Sequence, residues 1–186
     1  MSAESTLLKQ MAEKLDAAGI PYMVSGSVAS SVWSTPRLSY DIDIVIAPTA
    51  EQLHAFLKSV GERLYVNAEA AEEALRTRGM FNVIAPQAGM KVDLIIRKDR
   101  PFSAEEFARR RPGRIGDADV LIISPEGSIL SKLEWSKLGD SDRQFDDALR
   151  VAKAQRDELD LDYLRRWGKD LGVSDLLERL LGEVES

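Results

Sequence analysis

Asp41 and Asp43 stand two positions apart in the run Tyr40-Asp41-Ile42-Asp43-Ile44. Residues i and i+2 of a strand share a face, so the two carboxylates point one way while Ile42, Ile44 and Ile46 point the other, into a core. Two like charges roughly 7 Å apart along a strand, at about 3.3 Å per residue, repel unless a cation lies between them. Oxygen-only ligands suit a hard cation such as Mg²⁺ or Mn²⁺. A third acid, Asp93, interrupts another apolar strand, Lys91-Val92-Asp93-Leu94-Ile95-Ile96. Upstream, Ser25-Gly26-Ser27 turns a short strand into a helix. A helix N-terminus offers free backbone N–H groups to phosphate oxygens, and glycine lets the backbone come close. The combination predicts phosphoryl chemistry, in which two divalent ions ~3.5–4 Å apart activate an attacking oxygen and stabilise a leaving one.

Competing chemistries lack their residues. The chain has no cysteine and one histidine, His54, which excludes thiolate zinc sites, a cysteine nucleophile and a histidine zinc cluster. There is no Gly-x-x-x-x-Gly-Lys loop, no Gly-x-Ser-x-Gly elbow and no Ser-His-Asp set. His54 sits beside the apolar stripe of an amphipathic helix and reads as a surface residue.

The elements that must position these groups follow from periodicity. Leu8, Met11, Ala12, Leu15 and Ala18 predict a helix over 3–18, ended by Gly19. Residues 20–24 read as a strand, 28–34 as a helix, and Pro36-Arg37-Leu38-Ser39 as the loop leading to the Asp41 strand. Thr49 and Gln52 predict a capping box on a helix burying Leu53, Phe56, Leu57 and Val60. A helix over 69–78 and two strands over 79–84 and 90–96 come next. Seven basic residues then crowd 97–114, where Ser103 and Glu106 predict a capping box and Phe102 and Phe107 a hydrophobic staple. That stretch reads as an ordered helix and either a solvated face or a phosphate-attracting rim. Residues 120–123 form one more strand, Ser124-Pro125 starts a helix, and further helices follow from Asp140-Ser141, Leu161 and Ser174. The expected organisation is an α/β portion over 1–123 and a helical segment over 124–186 that completes the site.

The chain has 186 residues, 44% hydrophobic and 30% charged, and a net charge of −6. That suits a soluble domain of ordinary composition and argues against a general nucleic-acid binder. Without cysteines, a basic-then-apolar leader or an apolar run near ~20 residues, a cytoplasmic protein with no membrane span is expected.

The order Gly26-Ser27, Arg37-x-Ser39-x-Asp41-Ile42-Asp43 and Val92-Asp93-Leu94 resembles the DNA-polymerase-β-type nucleotidyltransferase superfamily. Within it, the match is closest to a small prokaryotic group that includes AbiEii-type toxins. The resemblance continues through Ser124-Pro125-Glu126, Lys132-Leu133-Glu134-Trp135, Ser141-x-Arg143-Gln144-x-x-Asp147 and Leu161-Asp162-Tyr163-Leu164-Arg165-Arg166-Trp167. It implies an α/β (α+β) fold, a small mixed sheet flanked by helices with a C-terminal helical segment. By that resemblance Gly26 and Ser27, with Arg37 and Ser39 of the loop, serve the NTP, and Asp41 and Asp43 ligate two Mg²⁺ (or Mn²⁺) ions. Asp93 is the third carboxylate, acting on the acceptor as base or metal ligand. Lys132 reaches a nucleotide phosphate, and Arg143 and Asp147 organise that site, with the register open between Asp146 and Asp147. Ser39 stands where relatives carry threonine and keeps the hydroxyl. The implied activity moves a nucleoside monophosphate from an NTP to a hydroxyl or phosphate acceptor (RNA or tRNA, protein or small molecule), and the toxin members of the group imply an antitoxin-type protein partner. The alternative is a nucleotide-binding regulatory or interaction module without catalysis.

Overall fold

A computed structural model describes residues 2–35, 41–139 and 141–185; Arg37 and Ser39 lie outside the described residues. Helix α1 (Ala3–Ala17) is capped by Ser2, whose side chain accepts from the Ser5 amide. The chain continues through β1 (Tyr22–Ser25), α2 (Gly26–Trp33), β2 (Asp41–Ile46) and α3 (Ala50–Ser59). The capping box expected at Thr49 and Gln52 is present in both directions. Then come β3 (Tyr65–Val66), α4 (Ala68–Thr77), β4 (Met80–Ala85), β5 (Met90–Ile96) and α5 (Pro101–Ala108). A hairpin of β6 (Arg111–Ile115) and β7 (Ala118–Ile122) precedes α6 (Pro125–Gly139), α7 (Asp142–Gln155), α8 (Leu161–Asp170) and α9 (Ser174–Glu185).

The strands form one seven-stranded mixed sheet in the order β3-β4-β5-β2-β1-β7-β6. β2 runs parallel to β5 and antiparallel to β1, while β4 is antiparallel to β5. Ile42, Ile44 and Ile46 are each 0% exposed, as their alternation with Asp41 and Asp43 requires. They belong to a core with Leu8, Met11, Leu15, Leu53 and Phe56. A second core forms among α6–α9 around Leu130, Leu133, Phe145, Leu164 and Trp167. Trp33 packs against both cores, and its indole N–H donates to the Ile123 carbonyl at 2.8 Å. Among the described residues no helix is long and apolar enough to cross a membrane.

The basic stretch departs from its expected form. α5 starts at Pro101, with Arg100 as an extended N-cap that makes no side-chain cap bond. Proline, pre-set for the first helical position, captures the start two residues before Ser103, so the Ser103–Glu106 capping box does not form. Ser103 Oγ instead accepts from Arg100 Nε at 2.9 Å, and Glu106 accepts from Ser131. Phe102 and Phe107 make no staple because they enter different cores; Phe102 lies 5.5 Å from the Trp167 ring while Phe107 joins the sheet core. Arg111 and Arg114 belong to β6, not to a helix.

Candidate active site

Sheet register builds the site. On one face Ser25, Asp43, Asp93 and Asn82 form a single row across β1, β2, β5 and β4, because each is the backbone partner of the next. Asp41 pairs with Lys91 one pleat away. Two acids 50 positions apart in sequence thus stand side by side, about 4.8 Å apart at their backbones. Asp93 is 7% exposed and accepts from Asn82 Nδ2. The Lys91 ammonium reaches both its oxygens, at 3.0 and 3.2 Å, and approaches Asp41 Oδ1 at 3.6 Å. The hydrogen bond to Asp93, above all, raises the Lys91 pKa. Among the described residues no such donor reaches the Asp43 carboxylate. Burial first, then the charges of Asp93 and Asp41, push its pKa up to about 6, against the opposing pull of Lys91 and Lys132.

Gly26 has a positive φ of +65°, and a methyl group there would come within 1.9 Å of Asp43 Oδ2. Only glycine lets the first turn of α2 close on that carboxylate. α2 begins at Gly26, two residues earlier than its periodicity indicates, so Gly26 and Ser27 are themselves the N-terminal turn. Ser27, Ser30 and Ser31 line a shallow groove that continues to Asp147 and Arg150 of α7. Lys132 and Asp147, both 6% exposed, pair at 3.3 Å, and Arg150 also donates to Asp147. Asp146 is exposed, so the buried partner in this register is Asp147. Arg143 is exposed and does not line the cavity described next; its neighbour Gln144 does.

Beside the carboxylates lies a cavity of about 340 Å³, lined by Gly26, Ser27, Asp43, Asp93 and Lys132 together with residues of α5 and α6. Its α5 wall carries Glu106, 8% exposed, whose carboxyl is pushed up to about 7 by burial and drawn back by the Ser131 hydroxyl and Arg100. Sequence reasoning did not assign Asn82, Lys91, Glu106 or Arg150 to the site, and read Glu106 only as half of a capping box. Lys91 carried the clearest signal, since a residue two before Asp93 must share its face.

The donor set fits a hard divalent cation. Asp43 and Asp93 would be adjacent oxygen ligands, and burial plus mutual repulsion makes a cation the natural relief for the raised Asp43 carboxyl. Among the described residues no three acidic, histidine or cysteine side chains converge as a ready cage, and the Lys91 ammonium holds the space between Asp41 and Asp93.

The fold is similar to those of several solved structures. The chain is similar to the antibiotic-resistance factor ANT(2'')-Ia in its solution structure, at 16% identity and TM-score 0.60 over 97% of both chains. The crystal structure of ANT(2'')-Ia in complex with adenylyl-2''-tobramycin matches at 15% identity and TM-score 0.59, covering 91% of this chain and 98% of that one. An antigenic nucleotidyltransferase-like protein from Paracoccidioides brasiliensis matches at 19% identity and TM-score 0.55, over 94% and 93%. No protein-family model matches the chain, and no curated protein matches it.

Proposed function

We propose that the protein is a divalent-metal-dependent nucleotidyltransferase that moves a nucleoside monophosphate from an NTP to an acceptor hydroxyl and releases pyrophosphate. The observation that carries this reading is the single row Ser25-Asp43-Asp93 beside the glycine turn of α2. The first-turn amides and serine hydroxyls of α2 take the triphosphate, with Arg150 and Lys132 bordering its groove. Asp41, Asp43 and Asp93 would hold Mg²⁺ or Mn²⁺, which when bound neutralises charge on the α-phosphate. Asp93, steadied by Asn82 and Lys91, takes the proton of the acceptor hydroxyl. The freed oxygen bonds to the α-phosphorus as the bond to the bridging oxygen breaks and pyrophosphate departs. The likeness to an ANT(2'')-Ia complex that contains adenylyl-2''-tobramycin supports the direction of transfer and makes ATP the first donor to try.

The test is incubation with α-³²P-labelled ATP, GTP, CTP or UTP, Mg²⁺ and pools of small molecules, protein and RNA. Label should pass to one pool with stoichiometric pyrophosphate and vanish in Asp43→Asn. An Asp43→Asn protein that turns over at the wild-type rate refutes the assignment, and nucleotide binding with no transfer to any pool makes the chain a regulatory module.

A further inference from the structure

The geometry points to the acceptor itself: a small molecule with a hydroxyl at one end, a flat apolar body and an anionic group at the other, lying along β5 from Asp93 to Arg97. This rests on the nucleotidyl-transfer reading and names the substrate class of that site.

Along β5 the residues Lys91, Asp93, Ile95 and Arg97 fall on one face by alternation. The Arg97 amide donates to the Ile46 carbonyl at 2.8 Å, so the extended course runs one residue past the strand. Asp93 and Arg97 are four residues apart, about 13 Å at 3.3 Å per residue. The row between them is apolar: Met23, Val45, Ile95 and Met80 are successive backbone partners, one pleat from the carboxylate row, and all four line the cavity. Met80 is 51% exposed, and Trp135, 62% exposed, lines the cavity from α6. Large apolar groups left open on two walls of one cavity are placed to grip a flat ring.

The far end is cationic. Arg100 forks onto Glu134 at 2.5 and 2.7 Å, so those two charges cancel. The Glu106 carboxyl, raised by burial, gives one oxygen to Ser131. Arg97 and Lys98 line the cavity with no carboxylate at ion-pairing distance among the described residues. Arg97 Nε is buried with no hydrogen-bond partner there, while its guanidinium rests 5.7 Å over the Phe107 ring. Nε itself is closed to the cavity, and the terminal guanidinium nitrogens, which are not buried, are the donors left to meet an anionic group. Gly26, Ser27 and Lys132, which serve the triphosphate, line the β1 end of the same cavity, and the β5 end beyond Asp93 is the part assigned to the acceptor. At the β5 end a cationic group would meet Arg97 and Lys98 with like charge. The product is the nucleoside-monophosphate ester of the acceptor hydroxyl, its proton having passed to Asp93.

Binding is tested without metal or nucleotide, using the fluorescence of 8-anilinonaphthalene-1-sulfonate and of its neutral counterpart N-phenyl-1-naphthylamine. The sulfonate should bind at least fivefold more weakly to Arg97→Gln while the neutral amine binds that variant as it binds the wild type, which also reports an intact fold. Met80→Asp should weaken both. Equal binding of the sulfonate to wild type and Arg97→Gln, or no binding to either, overturns the proposal. In a second arm, α-³²P-labelled ATP is offered with hydroxyaryl carboxylates, tobramycin or total RNA. Label on a hydroxyaryl carboxylate alone is expected. Label on tobramycin or RNA overturns the acceptor class and leaves nucleotidyl transfer standing. No label anywhere, with the Arg97-dependent binding intact, removes the transfer reading and keeps the anion-and-ring pocket.

Discussion

Replacing Asp43 by asparagine should abolish turnover and at the same time stabilise the metal-free protein. Burial and the neighbouring acids raise the Asp43 carboxyl from 3.8 to about 6. A carboxyl whose folded pKa is raised binds its proton more tightly in the folded state. Its stabilising contribution is therefore complete below about pH 4 and is lost as pH rises through about 6. The shift of about two units, at 1.36 kcal/mol per unit, amounts to about 3 kcal/mol. Asparagine is isosteric and carries no charge, so at pH 7.5 in EDTA Asp43→Asn should be more stable by up to about 3 kcal/mol, which for this size is roughly 6–12 °C in Tm. At pH 4 the difference should shrink towards zero. Urea unfolding of both proteins at pH 4, 5, 6 and 7.5 measures it directly, and groups such as Glu106 that titrate in both proteins cancel in the difference. Millimolar Mn²⁺ should then raise the wild-type Tm and leave the variant unmoved. A difference that is the same at pH 4 and pH 7.5, or a variant less stable at pH 7.5, refutes the electrostatic account of the site.

Gly26→Ala should lose stability by about 1–2 kcal/mol from its left-handed backbone, and should lose transfer at least tenfold because the new methyl displaces the Asp43 carboxylate. Gly89→Ala, with φ +61° and nothing within 4 Å of the added carbon, is the control, losing stability only. Lys91→Met removes the ammonium lying between Asp41 and Asp93 and should tighten Mn²⁺ binding about tenfold by electron spin resonance; unchanged affinity would show that the lysine does not compete with the metal. Lys132→Met removes one cation from the buried Asp147 carboxylate, which keeps the half-exposed Arg150, and should cost about 2 kcal/mol in urea unfolding, less than the 3–5 kcal/mol of a pair with no second cation.

Local rules in the sequence were sufficient wherever one residue's neighbours decided its state. The alternation of Asp41 and Asp43 with three isoleucines placed acids and core on opposite faces before any fold was known. Thr49 and Gln52 announced their helix start, since a capping box is made by residues three apart. The same rule failed at Ser103, where Pro101 offered an earlier start and Glu106 found a better partner in Ser131, 25 positions away. The two-residue β3 and the basic strand β6 escaped for a related reason: Arg111-Pro112-Gly113-Arg114 has little strand propensity, and its pairing with β7 supplies what the residues lack.

By itself the sequence determined the chemical types and the faces: three acids on apolar strands, a glycine turn, and helices whose stripes bury leucine and phenylalanine. It could not determine register between strands, because which residue lies beside which depends on pairing across long separations. Tertiary structure alone set Asp43 beside Asp93 and brought Lys91 against both outer carboxylates. It also buried Asp147 rather than Asp146 against Lys132. The Asp43 pKa near 6 is a consequence of that assembly. A carboxylate two residues from another on an isolated strand keeps its water, and only burial within the folded sheet, next to a third acid from a distant segment, takes that water away.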